Sequence, residues 1–193
     1  MPKGINIFNF VPSVATPSVD PDAQAFLTAA AITDPTITSA IDTLVGQLKA
    51  DSIWTKMKAI YPFVGGAAAS HKFNLKDPRD LDAAFRLVFN GGITHDANGI
   101  TGNGTNGYAD TKIVLNTLSR DDNSGGIYSR TDADGGTDFG MFNTPNEGSF
   151  QLASKSTNLW YTRNGAVSLN STSNTDSRGF FQMTRRNSSN YVI

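Results

Sequence analysis

His71 and His95 are the only imidazoles in this chain of 193 residues. Two imidazoles can bind zinc or relay a proton, but a zinc site needs further sulfur, nitrogen or carboxylate ligands. The chain has no cysteine and no H-x-x-x-H spacing, so its sequence points to no zinc site. His95 stands beside Asp96, and a His–Asp pair can orient a general base. A triad would also need a placed nucleophile, and no G-x-S-x-G occurs. His71 lies in a strand-like run and reads as a structural or surface residue.

Carboxylates are the next source of chemistry. Glycoside hydrolysis uses two of them across a cleft, one as acid and one as nucleophile or base. Glu147, in the turn TPNEG, is the single glutamate among 17 acidic residues; the rest are aspartates. Asp132, Asp134 and Asp138 put three carboxylates into the glycine-rich stretch DADGGTD. Calcium favours such oxygen clusters, but the spacing departs from an EF-hand loop and no bidentate glutamate closes it. A solvated hairpin turn is the expected reading. Asp110, Asp121 and Asp122 could add carboxylates in space, though nothing in the sequence brings them there. GITGNGTNG lacks the basic residue and following helix of a phosphate cradle.

Trp160, Tyr161, Tyr128, Phe180 and Phe181 are the aromatics most able to stack on a sugar face. Side chains alternate along a strand, so one of each adjacent pair should turn inward. Core packing is their default reading, and at most one of Trp160 and Tyr161 is expected to face out. No catalytic, cofactor-binding or metal-ligating residue is assigned, no cofactor is expected, and the chain does not read as an enzyme.

The elements that would position these groups change character along the chain. Residues 1–20 combine several prolines with Ile5, Ile7, Phe8, Phe10 and Val11. Proline at that density forbids a regular helix and favours an extended arm, lying either on its own domain or in a neighbouring subunit. Asp20 and Asp34 precede prolines that suit first helical positions. Two helices are expected, over 21–31 and 35–50. The second carries an apolar stripe of Ile37, Ile41, Leu44, Val45 and Leu48. Residues 58–64, 70–75 and 85–89 read as strands, followed by a glycine-rich excursion to Tyr108. Short apolar runs then alternate with turn clusters, from YADTKIVL and GGIYSRT through TDFGMFN, SFQLAS, NLWYTRNG and GFFQMTRR to NYVI. Their spacing suits a sandwich or barrel, and Asn164-Gly165 is a hairpin signal.

Composition agrees with that reading. Hydrophobic content is 38% and charged content 17%, with the deficit filled by turn-forming polar residues after position 90. A net charge of -1 argues against a protein that grips nucleic-acid phosphates. No apolar run reaches the roughly 18 residues a membrane span needs. The start MPKGINIFNF lacks the features of a secretory leader, so none is expected.

The phrases AFLTAAAITDPTITSAIDTLVGQLKADSIWTKMKAIYPFVGG, HKFNLKDPRDLDAAFRLVFNGGITH and GNGTNGYADT carry a resemblance. Over about residues 23–131 the chain resembles a recurrent virion-protein module of tail or head-appendage proteins in double-stranded DNA phages. That module is similar to concanavalin A-like (laminin-G-like) jelly rolls. The resemblance implies a mainly β fold: an antiparallel β-sandwich over 56–193, an extended arm over 1–20 and a short helical hairpin over 21–55. It implies a bacteriophage virion structural protein, an exposed appendage or decoration component attached through its N-terminal region. Its partners would be other virion proteins and copies of itself, with no nucleic acid and no membrane. The alternative is a glycan-binding module for host recognition, and a polysaccharide depolymerase is the third reading. Hydrolases of that fold typically use two glutamates on one strand, and this chain has one.

Overall fold

A computed structural model describes residues 18–119, 121–142, 149–164, 170–187 and 190–192. They form two compact units divided between Thr111 and Lys112. The expected arm lies outside the described residues up to position 17, as does the turn that follows Asn164. Among the described residues, no helix is long and apolar enough to cross a membrane.

In the first unit, α1 (Pro21–Ala29) and α2 (Pro35–Ala50) start where their caps dictate. The Asp20 carboxylate accepts the Asp22 N–H at 2.9 Å. Asp34 accepts the N–H groups of Thr36 and Ile37 at 2.8 and 3.0 Å. Each cap satisfies donors that the first turn leaves free, and the following proline has no N–H to waste. Lys49, in the last turn of α2, reaches Asp20 and Asp22 at the start of α1, each at 2.6 Å, so the helices run antiparallel. Their facing sides bury Ala23, Phe26 and Leu27 against Ile41 and Val45. Leu44, placed on the apolar stripe by its spacing, sits at the edge of that face and is exposed.

Trp54, Phe73 and Leu75 join the same core. The boundary expected after residue 55 therefore falls within one packed body. The strands expected over 58–64 and 70–75 do not form. Pro62 lacks a ladder donor, and Phe63 turns the chain through a left-handed φ of 52°. Ala68–His71 is a single helical turn, α3. Beyond it, buried Asn74 ties the segment together. Its Oδ1 accepts from the N–H groups of Ile60 and Lys76 at 2.9 and 3.0 Å. Its Nδ2 donates to the carbonyls of Ala84 and Lys58 at 3.0 and 3.3 Å.

The strand expected over 85–89 starts later. Phe85 takes φ 59° after a 3₁₀ turn, and only β1 (Val88–Asn90) is extended. It pairs antiparallel with β4 (Tyr108–Asp110). The glycine-rich excursion between them holds a hairpin of β2 (Ile93–Asp96) and β3 (Gly99–Gly102). Asn103 closes the next turn: its Oδ1 accepts from the N–H groups of Thr105, Asn106 and Gly107, each at 3.0 Å.

Among the described residues, the regular elements of the second unit are strands and one 3₁₀ turn at Leu115–Thr117. Its strands are β5 (Asn123–Ser129), β6 (Phe139–Phe142), β7 (Ser149–Ser156), β8 (Leu159–Asn164), β9 (Asn170–Ser173), β10 (Gly179–Asn187) and β11 (Asn190–Val192). One sheet has the order β6-β7-β8-β9 and the other β11-β10-β5, all antiparallel. Phe150 and Leu152 of β7 meet Met183 of β10 in one core, with Ile127, Phe139, Met141, Trp160 and Phe181 packed around them. The chain is thus mainly β, with antiparallel sheets and a few short helices. The run β6 to β9 is a meander of sequential neighbours, whereas a jelly roll is built from Greek keys.

Candidate functional site

The outer side of the three-stranded sheet carries an aromatic pair. Along β5 the side chains alternate, with Ile127 turned to the core and Tyr128 outward. Along β10, Phe181 and Met183 turn inward and Phe180 outward. The antiparallel register places Phe180 directly opposite Tyr128. Both rings are largely in water, at 65% and 68% exposure. Gly126 lies beneath the Phe180 ring: a Cβ at that position would come within 2.9 Å of Phe180 Cζ.

Hydroxyls and an amide continue the same face. Gln182 Nε2 donates to Ser124 Oγ at 2.9 Å and to Thr184 Oγ1 at 3.2 Å. The two hydroxyl oxygens are 3.0 Å apart and share a hydrogen bond. The result is a neutral strip, π-faced at one end and hydrogen-bonding at the other. An aromatic face is negative and the C–H groups of a pyranose are weakly positive, so such rings attract a sugar face while amides and hydroxyls meet its hydroxyls. Two adjacent exposed rings also cost hydrophobic free energy in the unbound state, which makes this patch unlike scattered surface apolar residues.

The other aromatics named from the sequence are placed differently. Trp160 packs against the core, its ring centroid 6.0 Å from that of Phe181. Tyr161 is half-buried, with its hydroxyl 3.4 Å from Gln151 Nε2. The alternation rule contained this sorting: once Ile127 and Phe181 are inward, Tyr128 and Phe180 must be outward.

The three aspartates of DADGGTD do not converge. Asp132 accepts from Lys155 Nζ at 2.9 Å and from the Ser177 N–H at 3.1 Å. Asp134 accepts the Thr157 N–H at 2.7 Å, and Asp138 accepts the Ser154 N–H. Each carboxylate pins the loop to a different backbone position. The Lys155 ammonium, followed by the Ser177 N–H, holds the Asp132 carboxyl below the usual carboxylate range. Among the described residues, no three His, Asp or Glu side chains gather as a metal site.

His71 and His95, distant in sequence, are brought together in the first unit. Their Nδ1 atoms are 3.1 Å apart. His71 is 1% exposed, sits edge-on to Phe63, and its Nε2 has no hydrogen-bond partner among the described residues. His95 is half-buried and packs edge-on to Phe89. Burial, and then the charge of His95, hold the His71 pKa below the ordinary histidine value, with Asp96 opposing. The pairing has no local sequence signal, because the two residues come from a helical turn and a strand that only the tertiary fold joins.

The basic residues around them are engaged structurally. Lys72 and Arg86 pair with Asp80, Arg86 also with Asp82, and Arg79 with Asp77. Lys76 lies 4.4 Å from the Trp54 ring centroid. A shallow cleft of about 360 Å³ lies between residues 30–34, Gly65-Gly66 and Ala97, and brings no cluster of reactive side chains together.

No protein-family model, no curated protein and no solved structure matches this chain.

Proposed function

We propose that this chain is a bacteriophage virion structural protein, an exposed appendage or decoration component attached through its N-terminal region and working with other virion proteins and copies of itself. The ordered resemblance over about residues 23–131 supports the virion assignment. The proline-rich arm supports the mode of attachment, because docking Ile5, Ile7, Phe8, Phe10 and Val11 into a neighbouring subunit would remove their apolar surface from water. A concanavalin A-like fold is part of the same proposal. Two antiparallel sheets sharing one apolar core support it, and the jelly-roll connection rests on the resemblance alone. The expected outcome of deleting residues 1–20 is a folded protein that no longer enters particles. Normal incorporation of the truncated chain would sink the attachment model.

The Tyr128–Phe180 face favours a second reading, in which the protein also binds a neutral glycan on the host surface. The rings would stack on a pyranose, with Gln182, Ser124 and Thr184 bonding to its hydroxyls. On a glycan array, Tyr128→Ala and Phe180→Ala should each weaken binding about ten-fold or more, corresponding to about 1.4 kcal/mol per ten-fold. Both residues are exposed, so thermal stability should hold. Binding that survives the double substitution would rule this face out.

A further inference from the structure

The His71–His95 contact is a hydrogen bond that can hold only one proton. Two Nδ1 atoms 3.1 Å apart need one N–H and one lone pair between them. If His71 carries the shared proton, its buried Nε2 is left as a bare lone pair. If His95 carries it, neutral His71 must bear its hydrogen on Nε2, a buried donor with no acceptor. Orphaned buried N–H groups are the rarer kind, so His71 is the donor in the neutral pair.

Acid strains this arrangement. A proton added to His71 goes onto Nε2, making a buried charged donor with no acceptor among the described residues. A proton added to His95 Nδ1 either sets its N–H against that of His71 or drives the His71 hydrogen onto the same Nε2. From β2, Asp96 attracts a proton to His71 through space, but its Oδ1 accepts the Asn98 N–H at 2.6 Å. From the segment after α3, Lys72 is turned to Asp80. From residues 61–64, the Tyr61 hydroxyl donates to the Phe85 carbonyl at 2.6 Å. From β1 the Phe89 ring packs on His95, and β3 carries no titratable residue.

The bridge joins the α3 turn to the β2–β3 hairpin. Ala97, at the hairpin tip, lies against Gly66, where a Cβ would stand 3.4 Å from the Ala97 nitrogen. We propose that the His71–His95 bridge is a proton-sensitive latch that holds the β2–β3 hairpin to α3 and releases it on mild acidification.

The sign follows from linkage. In the unfolded or released state His71 titrates near its ordinary value of about 6.5. In the latched state burial and the neighbouring His95 keep it lower. The open state therefore binds more protons, so the latch is fully effective above about pH 6.5 and weakens as pH falls below it. Carboxylate ion pairs elsewhere fail only at lower pH, which leaves a separate window for the latch.

Amide exchange in the full chain, corrected for its intrinsic pH dependence, tests the proposal. Protection of Ile93–Gly102 should fall by about ten-fold or more between about pH 8 and about pH 5, while α1 and α2 stay protected. In His95→Gln that pH dependence should shrink but persist, because burial still disfavours the charged form of His71. Ring-proton titration of wild type by NMR reads the pair directly and needs no variant: His71 should protonate below the ordinary histidine range. Hairpin protection that does not change with pH, or a His71 that titrates in the ordinary range, overturns the latch.

Discussion

Asn74 illustrates how much one side chain can hold. It is 0% exposed and makes four hydrogen bonds to backbone groups at positions 58, 60, 76 and 84. Asn74→Leu would leave those groups buried and unmatched, at about 1–3 kcal/mol for each that water cannot reach. The expected result is a loss of at least about 3 kcal/mol in denaturant unfolding of the first unit, and a loss below 1 kcal/mol, roughly the worth of one ordinary hydrogen bond, would disprove the hub. The DADGGTD aspartates support a different expectation. Because Asp132, Asp134 and Asp138 each face their own donor, chelation of divalent ions should leave the thermal midpoint unchanged. A midpoint that drops with chelator and recovers with calcium would show a site the carboxylates form only on binding. At this scale the sequence was partly legible. The helix caps Asp20 and Asp34 could be named, because their partners lie two or three residues away. Asn74 and the His71–His95 pair could not, because their partners are set by tertiary packing.

At the scale of elements, local signals worked where one force dominated. The α1–α2 pair follows from caps and an apolar stripe, and the strands after residue 120 follow from alternation between turn clusters. Residues 58–89 misled because apolar alternation there lacks the means to pair: Pro62 offers no donor, and Phe63 and Phe85 turn through positive φ. β5 shows the opposite case. Its glycines look like weak points, yet Gly125 faces inward, where a Cβ would meet the Phe150 ring at 2.6 Å. Gly125→Ala should therefore destabilise the second unit by overpacking, about 1–3 kcal/mol, despite the better strand-forming side chain. Unchanged or higher stability would mean the Phe150 ring has room to move. Asp34→Ala should cost about 1 kcal/mol through the lost cap, read as a lower unfolding midpoint for the α1–α2 core.

The whole molecule is two bodies with separate cores, one around Phe26, Val45 and Leu75 and the other around Leu152 and Met183. A chain of residues 112–193 should accordingly fold alone, giving a cooperative β-type unfolding transition. A molten product would show that the second core is insufficient by itself. The many-stranded antiparallel character was readable from turn spacing, which left sandwich and barrel open, but the order of strands was not, since spacing says nothing about which neighbours pair across a sheet. That order has a kinetic consequence. The strands β6 to β9 can zip up as successive hairpins, each closing a short loop. β5 and β10 must wait, for Ser124 and Gln182 bond across 58 positions of intervening chain. Distant closure carries the larger entropic barrier and comes late. The Tyr128–Phe180 face straddles that seam, so it is complete only once β5 and β10 have paired. A chain that ends before β10 would lack this face, whereas residues 112–193 contain both strands that build it.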